Sequence, residues 1–255
     1  MLLRPGEGET LFDTPRATLR ALVEREELMV TWFRYGPGEK GPDPHIHRHH
    51  TDAFYVLEGE LELGLGPGAT ETVRATAGAF VAAPPEVVHT FRNASDEPAI
   101  FLNVHAPSMG FGDMLRARRE GRDEDAERFD QFDPPPDGGR PLADAVVSLD
   151  ESERFDRGNR VIAIKCDLPQ VSAFDIAFDR DFSVPPHRHD DKVDSFYVLD
   201  GEVEFAAEDG SVRAGPGTWM SAPPGVLHGF ATPSRGRVMN VHAPDAGFAQ
   251  SVRSQ

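Results

Sequence analysis

The chain has 255 residues, with 43 Asp and Glu against 26 Lys and Arg and a formal net charge of −17. That balance offers no basic stripe, so neither a nucleic acid nor an anionic membrane surface is expected as a partner. The single cysteine, Cys166, excludes an intramolecular disulfide. Met1–Thr14 carries no signal pattern and no apolar run approaches a membrane span, so the expectation is a cytoplasmic protein.

The 24 glycines and 22 prolines fall between short apolar runs, which indicates an all-β chain. Met1–Thr10 reads as a tail. Thr18–Met29, with Leu19, Leu22 and Val23 followed by acids, fits a short helix or a strand equally. Leu28–Tyr35 is rich in strand formers and ends at Gly36-Pro37-Gly38. After Pro42-Asp43-Pro44 come the histidines of His45-Ile46-His47-Arg48-His49-His50. Asp52–Leu57 predicts a strand turned by Glu58-Gly59. Glu60–Leu65 alternates acids with leucines, which should send Leu61, Leu63 and Leu65 into the core. Short strands are expected at Thr72–Arg74, Ala79–Ala83, around His89 and at Ile100–His105.

The pattern then turns helical. Phe111–Glu120 predicts a helix, and Asp123 is placed to cap a second one running to Phe129. Asp133-Pro134-Pro135-Pro136-Asp137-Gly138-Gly139 stops it and reads as a linker. The chain thereby divides into residues 1–133 and 134–255.

The second half repeats the first. His45, His47, Asp52 and Gly59 align without a gap with His187, His189, Asp194 and Gly201, and Asn240-Val241-His242-Ala243-Pro244 repeats Asn103–Pro107 letter for letter. Gly247-Phe248 echoes Gly110-Phe111, where a second helix would begin.

Histidines two apart share one face of a strand and can share one ion. His89 and His228 follow the next proline turns. Each copy therefore offers three imidazoles and one carboxylate: His45, His47, His89 and Asp52, then His187, His189, His228 and Asp194. Mixed N/O sets of this kind suit a divalent transition metal such as Fe, Mn, Ni, Cu or Zn. His49 and His50 break the repeat and read as rim residues. His105 and His242 share a face of the closing strand with Asn103 and Asn240 and read either as pocket-lining or, preferably, as satisfied core groups, and Cys166 as a small buried hydrophobe.

These spacings resemble the two motifs of the cupin family, in duplicate. The first copy supplies His45, His47, Asp52 and Gly59, then Gly78, Pro84, His89 and Asn93. The second supplies His187, His189, Asp194 and Gly201, then Gly217, Pro223, Gly225 and His228. Glu86 stands where the second copy has Gly225, and Thr232 where the first has Asn93. In both copies the acid is aspartate, where the family usually has glutamate. The resemblance implies an all-β bicupin: two tandem jelly-roll barrels with a short helical connector, each with a metal in its mouth. It also implies a metal-dependent enzyme of the quercetinase-like dioxygenase kind, with a small phenolic, enol or acid substrate and Asp52 and Asp194 as catalytic carboxylates. The alternatives are a non-catalytic small-molecule binding protein and an oxalate decarboxylase-like lyase. A monomer and a homodimer are both open.

Overall fold

The structure, a computed structural model, describes residues 1–149, 152–208 and 210–255. It is mostly strand, with two short α-helices, α1 (Phe111–Arg119) and α2 (Phe248–Ser254), among the described residues. No helix is long and apolar enough to cross a membrane. Two compact units emerge: Gly8–Glu151, and Ser152–Gln255 together with Met1–Glu7.

In the first unit the larger sheet has seven strands. Its order is Val146–Ser148, Phe80–Ala83, Thr51–Glu58, Ala99–Ala106, Met29–Tyr35, Ala17–Glu24 and Glu9–Asp13. A three-stranded sheet, Glu71–Thr76, Glu60–Leu65 and His89–Arg92, makes the other layer. This is the two-sheet jelly-roll arrangement. The leucines of Glu60–Leu65 behave as the alternation requires, since Leu61, Leu63 and Leu65 are all 0% exposed. They meet Phe33, Phe54, Phe91 and Phe101 in one aromatic core.

The second unit repeats the plan. Its seven-stranded sheet includes Val193–Gly201 beside Gly236–Ala243, and its four-stranded sheet joins Phe182–His187, His228–Thr232, Val203–Ala207 and Gly210–Ala214. Phe174, Phe196, Phe205 and Phe230 fill the core. Gly59 and Gly201 hold left-handed turns at φ 74° and 73°. A Cβ on Gly201 would lie 1.9 Å from the Arg235 carbonyl oxygen, so only glycine fits that turn.

Several sequence expectations shift. Ala17–Glu24 is a strand, paired with Met29–Tyr35. A bulge between Ala21 and Val23 buries the adjacent Leu22 and Val23 together, and this broken alternation imitates helical spacing. The turn after α1 is a short 3₁₀ element, Ala126–Phe129, and its cap is Asp125, which accepts from the Glu127 N–H at 3.1 Å; Asp123 does not cap it. The 133/134 boundary falls inside the first unit, because Val146–Ser148 pairs with Phe80–Ala83. The chain's first strand, Leu2–Leu3, pairs instead with Met220 and Trp219 of the second unit. Cys166 is 2% exposed, and burial pushes its thiol pKa up.

Candidate metal centres

The first cluster sits where a loop crosses the open end of the sheets. Residues 44–50 form no continuous strand. His45 and His89 exchange backbone hydrogen bonds of 3.1 and 3.0 Å, and Ile46 does the same with Phe132. Asp52 comes from the start of Thr51–Glu58, beside Phe54 and Val56 of the core. The side chains of His45, His47, His89 and Asp52 converge: one potential ligand atom from each lies within 4.8 Å of all the others. The aspartate, though one methylene shorter than a glutamate, reaches the imidazoles.

Each imidazole is oriented through its far nitrogen. Nδ1–H donates to the Asp43 carbonyl from His45 (2.9 Å), to the Asp130 carbonyl from His47 (2.7 Å) and to the Val87 carbonyl from His89 (3.0 Å). Backbone carbonyls only accept, so the lone pair of each neutral ring sits on Nε2, facing the cluster. The His89 Nε2 lone pair then lies 3.2 Å from Asp52 Oδ2, acceptor against acceptor. His47 Nε2 is buried and has no hydrogen-bond partner. A proton could bridge one such pair. A cation in the middle satisfies all four groups together, so the donor set fits a divalent metal.

Burial drives the His45 pKa down to about 3, with the neighbouring His89 adding to the shift. His47 is pushed well below its ordinary value by burial and by His50. For Asp52, burial works upward, but His105, His89 and His50 outweigh it and hold the carboxyl at about 2. His45, His47 and Asp52 are thus kept in the state a metal requires, the two imidazoles neutral and the carboxylate charged.

Behind the cluster runs a buried chain of hydrogen bonds whose polarity can be followed. Asp52 Oδ1 accepts from Asn103 Nδ2 at 2.5 Å. Asn103 Oδ1 therefore faces His105 Nε2–H, at 2.9 Å. That leaves His105 Nδ1 to accept from His50 Nε2–H, at 2.9 Å, while His50 Nδ1–H donates to Asp130 Oδ2 at 2.7 Å. Asp130 also accepts from the backbone N–H groups of Arg48, His49 and His50, at 3.1, 2.8 and 3.2 Å. One residue thus holds His47 through its carbonyl and His50 through its carboxylate. His50 is 1% exposed and is no rim residue, whereas His49 does stay at the surface. His105 is a satisfied buried group and also lines the pocket.

The second cluster gathers His187, His189, Asp194 and His228 in the same way. His187 and His228 donate from Nδ1 to the Pro185 and Val226 carbonyls, both at 2.9 Å. His187 Nε2 and His189 Nε2 then face each other at 3.2 Å, and His228 Nε2 lies 3.3 Å from Asp194 Oδ2. Asn240 donates to Asp194 at 2.7 Å. Lys192, in register with His50, donates to His242 Nδ1 at 3.1 Å. Burial lowers the Lys192 pKa. His228 moves the other way: burial pulls it down, but the Asp194 hydrogen bond prevails and raises it.

Above each cluster opens a pocket, about 310 Å³ in the first unit and about 460 Å³ in the second. Both are walled mainly by core side chains, Phe33, Tyr35, Phe91 and Leu115 in the first and Phe178, Phe182 and Phe230 in the second. Asp130, His50 and Lys192 escaped the sequence reading. The duplicated Asn103 and Asn240 were visible in it, through their identical five-residue runs.

The cupin domain family matches residues 31–105 and 178–242. No curated protein matches the chain. Among solved structures, a glyoxylate-induced protein from Pseudomonas aeruginosa is 15% identical, with 92% of this chain and 85% of that one covered and a TM-score of 0.66. Bacillus subtilis oxalate decarboxylase is 14% identical over 96% of this chain and 77% of its own, at a TM-score of 0.66. It carries Mn(II) centres. AerE from Microcystis aeruginosa is 14% identical over 93% and 97%, at a TM-score of 0.64. At these identities the likeness is one of fold.

Proposed function

The chain belongs to the cupin family, and we propose that it is a metal-dependent enzyme, an oxidoreductase of the dioxygenase kind, acting on a small phenolic, enol or acid substrate. The observation that carries this is the acceptor-against-acceptor packing of His89 and Asp52, with His228 and Asp194 placed the same way in the second unit, at the foot of an apolar pocket. The metal would be held by His45, His47, His89 and Asp52, and in the second unit by His187, His189, His228 and Asp194. When bound, such an ion supplies a Lewis acid that polarises a substrate oxygen.

The chain's own residues do the rest. The carbonyls of Asp43, Asp130 and Val87 fix the imidazole tautomers. Phe33, Phe91 and Leu115 exclude water around the bound substrate. Asp52 is held at about 2, and such low proton affinity makes it a better ligand than general base near neutral pH.

The test is metal content by plasma mass spectrometry on protein purified without a histidine tag, followed by oxygen uptake with flavonol, diketone and catechol substrates. About two metal equivalents per chain and substrate-dependent oxygen uptake are expected. No metal after reconstitution would sink the reading. A second reading, a lyase releasing carbon dioxide from a small acid, rests on the fold shared with oxalate decarboxylases. Carbon dioxide from oxalate without net oxygen uptake would favour it. Tight binding of a ligand left unchanged would instead favour a non-catalytic binding protein.

A further inference from the structure

Helix α1 lies along the first pocket with one face. Phe111, Met114, Leu115 and Arg118, at i, i+3, i+4 and i+7, all line it. The first three continue the apolar wall. Arg118 ends the stripe with a guanidinium, and its environment differs from that of its neighbours on the helix. Arg116 pairs with Glu9, Glu24 and Asp113, and Arg119 pairs with Glu9. Arg118 has no acidic partner among the described residues. The carboxylates lining the pocket are engaged elsewhere: Glu39 pairs with Arg16 at 2.9 Å and Asp52 belongs to the histidine cluster. Arg118 itself stays exposed to solvent at the pocket, though partial desolvation lowers its pKa. In a chain of net charge −17, an arginine left without an acid beside a cavity is a place kept for an anion from outside.

We propose that the first unit's pocket takes a monocarboxylate with a ring-sized apolar body, its carboxylate on Arg118 and its far end toward His45, His47 and Asp52. The walls set the body. Phe33, Tyr35, Phe91 and Leu115 would leave a compact polar acid such as oxalate surrounded by carbon. The volume of about 310 Å³ suits one ring. The second unit lacks this helix-borne guanidinium, since the repeat puts Gln255 at the position equivalent to Arg118; its own pocket is lined instead by Arg160 and Lys192.

The proposal rests on reading the first cluster as a metal site, and the experiment separates the two. The full chain with His189→Ala and His228→Ala, loaded with manganese, keeps the ion in the first unit. Binding of benzoate and of its neutral isostere benzamide is then read by manganese-induced relaxation of their ring protons. Benzoate should bind about 10- to 100-fold tighter than benzamide, the range of a charge-assisted contact. Arg118→Gln should erase that ratio and Arg118→Lys should keep part of it, with manganese content unchanged. Equal binding of the two probes, or a ratio that survives Arg118→Gln because the metal alone selects the acid, would overturn the proposal. Failure to take up manganese at all would instead count against the metal reading.

Discussion

The two clusters use the same four-residue set, three histidines and an aspartate, yet one is enclosed and the other open. In the first, His47 is 4% exposed at its side chain, and its Nδ1 is fixed by Asp130. In the second, the equivalent His189 is 25% exposed, and no hydrogen bond reaches its Nδ1 from the described residues. The difference comes from outside the repeat. Asp130 lies in the segment after α1, and its neighbour Phe132 pairs with Ile46. The clustered histidines and aspartate were duplicated; the residue that steadies the first set was not. Lys192 then takes the position of His50, giving each copy one buried donor behind the aspartate.

Asp130→Ala breaks the comparison most directly. It removes the acceptor of a buried histidine and of three backbone N–H groups, so the first unit should lose about 3 kcal/mol. The backbone carbonyl that holds His47 survives the change, so the first unit's metal affinity should fall through the loosened loop only, by less than the ~10- to 100-fold cost of losing an outer partner outright. The second site should be unchanged. Calorimetry and competitive metal titration of the full chain check both expectations, and equal losses at the two sites would refute the asymmetry.

Acid should separate the units next. His45 and His105 both fall to about 3 in the fold, against about 6.5 when unfolded. Between those values protons bind the unfolded chain preferentially, so stability is full above pH 6.5 and declines as the pH falls toward 3. At pH 5 each of these histidines costs about 2 kcal/mol. His228 has its pKa raised, so its contribution has the opposite sign: present at low pH and lost as the pH rises through its folded value. Peptide-resolved hydrogen exchange on metal-free protein from pH 7 to pH 4.5 should show the first unit losing protection first.

The smallest effect concerns a turn. Glu86 and Gly225 both donate their N–H to the carbonyl of the second histidine, His47 and His189, at 2.7 Å. Both are left-handed, at φ 69° and 78°. Glutamate is strained there and glycine is not. Glu86→Gly should therefore stabilise the first unit by at most about 1 kcal/mol, and Gly225→Glu should cost the second a similar amount, both read by denaturant unfolding.

The sequence showed what was repeated and hid what was not. His45, His47, Asp52 and His89 stood out because a second copy carried the same letters at the same spacing. His50 faces Lys192 in that alignment, so the shared task of the two donors was invisible until their partners, His105 and His242, were placed. Asp130 is separated from His50 by 80 positions. Only the fold brings it there, and nothing near it in the chain marks it out from the other acids.

One pairing has a consequence in time. Leu2 and Leu3 lie against Met220 and Trp219, closing an edge of the second unit's large sheet. Ribosomal synthesis runs from the N-terminus, so this strand is made more than 200 residues before its partner and must wait for Trp219 and Met220. Through that interval two apolar residues and an unpaired strand are left without their final cover. The second barrel's edge is finished by a strand made long before the barrel itself, which makes its completion a late event.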